Sequence, residues 1–232
     1  MISVCLATYN GSKFILPQVL SILNQLSSKD EIIVSDNGSE DDTIKLLSNL
    51  NDNRIKILTE PIPGIIPNFS NALSHACGDI IFLSDQDDLW MPNKILKVSE
   101  LLLSADLVLH DALIVNEDQK IVMDSLFHFN ATRIGFFTNL LRNGYVGCCM
   151  AFHRKILEHA LPIPSNIGMH DWWIGLVAEK YFKVRHLHLP LIKYRRHNNN
   201  ASNTSLKSNF SYIKRIIWRL NILLNLRRLM VT

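Results

Sequence analysis

Two phosphate-binding signatures are missing from this chain of 232 residues. It contains neither G-x-G-x-x-G nor a Walker A run, which excludes the dinucleotide fingerprint and the P-loop. Cysteine is scarce. Cys5, Cys77, Cys148 and Cys149 form no C-x-x-C pair, so neither a disulfide framework nor a cysteine zinc site is expected, and all four read as free thiols in a reducing compartment. No uninterrupted apolar run approaches the ~18 residues of a membrane span. Met1 leads directly into strand-like sequence with no basic start, so the expectation is no signal peptide and a cytoplasmic location. Acidic residues are absent from residues 180–232: all 21 lie before them, whereas 12 of the 24 Lys and Arg lie within them. A formal net charge of +3 hides this split, which points to an anionic partner, either a phosphate-bearing substrate or an anionic membrane surface. With 47% hydrophobic and 19% charged residues, the composition excludes a disordered chain.

What the chain does contain is strand–helix alternation around one acidic stretch, residues 80–92, IIFLSDQDDLWMP. Strands are predicted at Ile2–Ala7, Glu31–Ser35, Arg54–Leu58, Ile80–Ser84 and Leu107–His110. Between them, helices are predicted over Lys13–Leu26, after an N-cap near Ser39 or Asp42, from Asn68, and over Asn93–Leu103. Pro61–Pro67 reads as a loop. Such alternation with short connections predicts an α/β fold, a mostly parallel sheet with flanking helices. Parallel strands would put the turns Thr8–Gly11, Asp36–Ser39 and Asp85–Asp88 on one sheet edge, where such folds bind ligands. Beyond residue 110 the expectation is a hairpin near Asn116–Asp118, a strand over Val146–Phe152 and helices over Arg154–Ala160 and Trp172–Lys180. A strand over Val184–Pro190 and a basic amphipathic C-terminal helix over Phe210–Leu229 complete it.

Asp85, Asp87 and Asp88 crowd one strand end. Either they hold a hard cation, Mg²⁺ or Mn²⁺, or they are surface acids in a turn. Asp36 either accepts a hydrogen bond from a ribose or base edge or caps its own turn. His186 and His188 lack the spacing and cysteine partners of a strong zinc site. In the tail, Ile213, Ile216, Ile217, Leu220 and Leu224 form one stripe and Lys214, Arg215 and Arg219 another. That helix either caps the core or lies on a membrane surface.

The stretches ISVCLATYNG, EIIVSDNGSEDDT, IIFLSDQDDLWMPNKI, GYVGCCMAFHRKIL, HDWW and YRRHNNNAS together resemble an inverting glycosyltransferase of family 2, closest to its bacterial rhamnosyltransferase-like branch. The resemblance runs from Met1 to about Ser205. It implies a single-domain GT-A fold over residues 1–205, with a nucleotide-binding part to about 110, an acceptor-binding part after it, and a separate basic tail over 206–232. It further implies a nucleoside diphosphate sugar donor, a divalent cation, and a surface-polysaccharide acceptor, free or lipid-linked. The donor would be dTDP-L-rhamnose, with UDP-galactose or UDP-glucose as the alternative.

On this resemblance Thr8, Tyr9 and Asp36 would line the base and ribose pocket. Asp85 would face the ribose, Asp87 the cation, and Asp88 either one. Arg195 and Arg196 would meet the diphosphate, and His197 the cation or the β-phosphate. Asp171 matches the family's general base, with His170 as the alternative base and a helix N-cap as the structural alternative for Asp171. His170, Trp172 and Trp173 would touch the sugar or acceptor. Plain packing is the alternative for Tyr9 and the two tryptophans, and a solvent-facing ring for His197. Asn37 stands where the family's second motif carries a further Asp. Two other classes compete. A nucleotidyltransferase would need a glycine-rich signature and an early basic residue; a nucleic-acid binder would need a recognisable module in the basic segment, and none is present, so no nucleic acid is expected.

Overall fold

The computed structural model describes residues 1–197 and 211–228. In its first half run β1 (Ile2–Thr8), α1 (Ile15–Leu23), β2 (Glu31–Asp36), α2 (Thr43–Ser48), β3 (Ile55–Thr59), α3 (Ile65–His75), β4 (Ile80–Asp85), β5 (Leu89–Trp90) and α4 (Lys94–Leu102). The second half holds β6 (Leu107–Val115), β7 (Ile121–Met123), α5 (Leu126–Asn130), α6 (Phe136–Leu141), β8 (Met150–His153), α7 (Leu157–Ala160), α8 (His170–Tyr181), β9 (Val184–Arg195) and α9 (Tyr212–Arg228). Two 3₁₀ turns flank β8, Gly147–Cys149 before it and Arg154–Ile156 after it.

Among the described residues all nine strands join one sheet in the order β3-β2-β1-β4-β8-β6-β9-β5, with β7 hairpinned onto β6. β1, β2, β3 and β4 are parallel. The apolar runs of β1, β2 and β4 are buried on both faces, as strands covered by helices must be, whereas β3 at the sheet edge is half-buried. Register puts Thr8 beside Asp36 and Ala7 beside Asp85, so the three polar turns do share one edge. β8 runs antiparallel to both β4 and β6. Phe69, Phe82, Phe152 and Trp173 fill the core between sheet and helices.

Several boundaries differ from the sequence expectation, each for a local reason. α3 begins at Ile65 rather than Asn68, because Pro67 falls in the first turn, where its missing N–H breaks no helical bond. α1 is shorter at both ends, and Gly11 O takes the Phe14 and Ile15 N–H groups. β6 continues past His110 because β7 and β9 go on pairing with it. The expected strand over Val146–Phe152 opens instead with the 3₁₀ turn. β9 runs through Pro190 to Arg195, with its register shifted beside that donor-less residue. β5, α5 and α6 are too short to leave a periodic pattern in the sequence. The polar run Asn198–Ser205 lies outside the described residues.

Candidate active site

The site is assembled at the C-terminal ends of β1, β2 and β4. At β1, Gln86 reaches back and clamps the turn: Thr8 Oγ1 and Tyr9 N–H donate to Gln86 Oε1 (2.6 and 2.9 Å), and Gln86 Nε2 donates to Tyr9 O (3.1 Å). A Cβ at position 11 would stand 2.3 Å from Gln86 Oε1, so any larger residue there would push this clamp aside. Tyr9 is 55% exposed, so the reading of its ring as packed core does not hold. The buried Asp36 carboxylate accepts from Gly38 N–H (3.1 Å), Ser39 N–H (2.8 Å) and Ser39 Oγ (2.5 Å). These bonds cap its own turn, and the residue stands beside Thr8 at the sheet edge.

At the end of β4 the three aspartates part company. Ligand atoms of Asp85, Asp88 and Cys148 lie within 4.8 Å of one another. Asp87 instead turns to His197, with its Oδ2 2.8 Å from Nε2. His197 is not solvent-facing: its ring also stacks on Phe14, 4.9 Å between centroids. Asp88 Oδ1 accepts the Arg195 N–H (3.0 Å), while Oδ2 is buried without an N–H or O–H donor among the described residues. Burial, then the charges of Asp87 and its neighbours, raise both flanking carboxyls: Asp85 to about 7, and Asp88 well above the usual carboxylate range.

Two buried cations of this region, Lys94 and Arg195, reach backbone carbonyls. Lys94 is fully buried; its ammonium donates to Cys148 O (2.9 Å) and lies 3.9 Å from the Trp90 ring centre, and burial lowers it to about 8. Arg195 Nε donates to Asp87 O and an Nη to Glu117 O, both at 2.8 Å, with the guanidinium 4.7 Å from the Phe14 ring centre. These bonds brace the acidic turn from behind. Arg196 lies over Phe129, and its N–H pairs with Val115 O.

Asp171 approaches from α8. The helix begins at His170 after Met169, so Asp171 lies inside the first turn and is not the N-cap. Its Oδ2 accepts Gly147 N–H (3.1 Å), and Oδ1 lies 2.5 Å from Trp172 N. Desolvation raises this buried carboxyl to about 6, where a carboxylate is poised to take a proton near neutral pH. Asp171 also contributes to the raised value of Asp85, so the two acids share one electrostatic neighbourhood. His170 is a poor alternative base: it is buried, stacked on Phe69 at 3.9 Å, and lowered to about 3 by desolvation. Trp172 and Trp173 are core residues, 6% and 2% exposed, with their indole N–H groups on Asn139 O and Ala160 O.

A divalent cation is tested by the donor set itself. Two carboxylates in contact range, one with an orphaned buried oxygen, fit a hard cation. Cys148 fits it less well, since burial and the adjacent acids keep its thiol protonated. Sequence reasoning missed Cys148, Lys94, Gln86 and Gly147 as site residues. GCC in the GYVGCCM stretch was the available signal for two of them.

Known proteins share this architecture. Over 220 residues the chain is 26% identical to an Escherichia coli protein named UDP-Glc:alpha-D-GlcNAc-diphosphoundecaprenol beta-1,3-glucosyltransferase WfgD, covering 93% of this chain and 83% of that one. It is 25% identical over 222 residues to an uncharacterized glycosyltransferase of Nostoc, covering 89% and 69%. The crystal structure of S. aureus TarS 1-349 in complex with UDP-GlcNAc superposes with a TM-score of 0.73 at 16% identity. That match covers 97% of this chain but only 66% of TarS 1-349, so the solved protein is the longer one. These likenesses identify the fold as a single-domain GT-A-like α/β architecture. The model of Glycosyl transferase family 2 matches residues 3–161, the span that carries the three polar turns and the Gly147–Cys149 turn, and the chain therefore belongs to that family and is a glycosyltransferase.

Proposed function

We propose that the protein transfers a hexose from a UDP-sugar to a hydroxyl of a lipid-linked glycan, with inversion at the anomeric carbon. The observation that carries this is the pairing of two acidic centres: Asp85 and Asp88 converge with an unsatisfied buried oxygen, and Asp171, whose charge acts on Asp85, has its own carboxyl raised to about 6. Asp171 takes the proton of the acceptor hydroxyl as that oxygen bonds to C1 and the bond from C1 to the diphosphate breaks. Gly147 N–H holds the carboxylate for this task. Thr8 and Tyr9, fixed by Gln86, border the nucleotide. Asp85 and Asp88 would hold Mn²⁺ or Mg²⁺, which supplies Lewis-acid stabilisation to the leaving diphosphate. Asp87 supports them through His197.

Two relatives named as UDP-Glc-dependent transferases favour a UDP-hexose over the dTDP-L-rhamnose expected from the sequence motifs. Both names carry a diphosphoundecaprenol acceptor, which favours a lipid-linked one here. A thermal-shift panel of UDP-glucose, UDP-GlcNAc, UDP-galactose and dTDP-L-rhamnose, with and without Mn²⁺, tests the reading. Stabilisation by a UDP-hexose that depends on Mn²⁺ is expected. No stabilisation by any nucleotide sugar would refute transfer, and a response to dTDP-L-rhamnose alone would restore the other donor.

A further inference from the structure

A second polar feature lies on the acceptor side. A cavity of about 150 Å³ is lined by Asn130, Arg133, Thr138, Asn139, Arg142 and Gly144. Both arginines are exposed, and neither guanidinium has a partner among the described residues. The acid nearest in the bonding network, Glu179, holds Gly135 N–H and Asn139 Nδ2 and does not line the cavity. Two uncommitted guanidinium groups around one cavity suit phosphate oxygens.

The cavity adjoins an apolar surface. On α6, Phe137 and Leu141 are 77% and 66% exposed, one turn apart on the stripe next to Thr138 and Arg142. α9 is fastened to the end of α6 by Arg219, whose guanidinium donates to Leu140 O and Leu141 O. It buries Ile222 and Leu226 but leaves Ile213, Ile217, Leu220 and Leu224 exposed, beside Lys214, Arg215 and Arg227. An apolar stripe edged by cations, in a segment with no acid after residue 179, complements an anionic lipid surface.

The cavity is also tied to the catalytic carboxylate. Asn139 accepts the Trp172 indole N–H through its carbonyl, and three residues beyond Gly144 comes Gly147, whose N–H binds Asp171. Three residues span at most ~10 Å. An anion in the cavity would thus lie within a sugar or two of the acceptor hydroxyl.

We infer that α6 and α9 form a membrane-docking face, in which the Arg133–Arg142 cavity takes the diphosphate of a prenyl-linked acceptor while Phe137, Leu141 and the α9 stripe rest in the lipid. This rests on the lipid-linked reading above and adds where that acceptor is gripped. The test uses the full chain and flotation with phosphatidylcholine vesicles carrying undecaprenyl diphosphate, or phosphatidylglycerol at matched charge. The wild type should prefer the diphosphate vesicles. Arg133→Ala/Arg142→Ala should lose that preference, about tenfold in affinity per guanidinium removed. Phe137→Ser/Leu141→Ser should weaken binding to both kinds of vesicle. Both variants should keep the Mn²⁺-dependent thermal shift with UDP-glucose, which shows that they fold and bind donor. Diphosphate-vesicle binding unchanged in the arginine pair would overturn the assignment. So would a wild-type dimer, seen by light scattering, that Phe137→Ser/Leu141→Ser dissolves, since the face would then belong to a second copy. Absence of the donor shift in the wild type would strike the transfer reading alone and leave the vesicle result decisive for this surface.

Discussion

Asp171→Asn separates catalysis from folding because the two effects have opposite signs. Asp171 is buried, and desolvation raises its carboxyl from 3.8 to about 6. An acid whose folded value exceeds its unfolded value binds more protons when folded, so stability is lost as pH rises between the two and stays lost above about 6. The rise is worth ~3 kcal/mol of destabilisation at pH 8. Asparagine removes that charge but keeps one carbonyl oxygen, so it forfeits part of the bonding to Gly147 and Trp172, ~1–2 kcal/mol. The net expectation is a variant more stable by ~1 kcal/mol at pH 8, a melting temperature ~2–4 °C higher. Turnover should fall ~10²- to 10⁴-fold, the worth of a proton acceptor, with donor KM little changed. In the wild type, kcat should drop as pH falls below about 6, and the variant should lack that limb. Calorimetry and a radiolabelled transfer assay read both signs. A variant that melts lower and turns over normally would refute the reasoning, because Asp171 would then serve the fold.

Three further outcomes follow from the same geometry. Asp88→Asn removes one of two crowded carboxylates; it should abolish Mn²⁺-dependent stabilisation by UDP-sugar while leaving the apo protein at least as stable, and chelation with EDTA should mimic the first effect in the wild type. Gly11→Ala drives a Cβ into Gln86 and frees the Thr8–Tyr9 turn; donor affinity measured by calorimetry should fall about tenfold, ~1.4 kcal/mol, with the melting temperature changed far less than by a core truncation. Glu31 opens β2, and although burial pushes its carboxyl up, hydrogen bonds from Lys56, Ser3 Oγ and Cys77 N–H outweigh burial and hold it below its usual 4.5. Its stabilisation is therefore present above pH 4.5 and lost as pH falls through the lower folded value; Glu31→Gln should cost ~1–2 kcal/mol in urea at pH 7 and little at pH 3.

The alternation of strands and helices was legible because it is local. Apolar runs at Val4–Leu6, Ile32–Val34 and Ile81–Leu83 specify buried parallel strands, and a turn ends each one. The shared edge of Thr8, Asp36 and Asp85 followed from parallelism alone. Local pattern could not assign the aspartates, because each is decided by a residue distant in sequence. Asp87 turns away to His197, 110 residues on, and Asp85 and Asp88 meet Cys148 from a turn whose small residues give no strand or helix signal. The short helices α5 and α6 lack the length to show a periodicity, so the arginine-lined cavity between them left no trace in the sequence. The buried cations carry the stronger lesson. Composition alone would pair Lys94 and Arg195 with the neighbouring aspartates and neutralise them. In the fold Lys94 reaches Cys148 O and Arg195 reaches Asp87 O and Glu117 O, while Asp85 and Asp88 stay crowded with their carboxyls raised. Two buried carboxyls held this close are costly unless a further positive charge joins them, which is the physical ground for the cation proposed above.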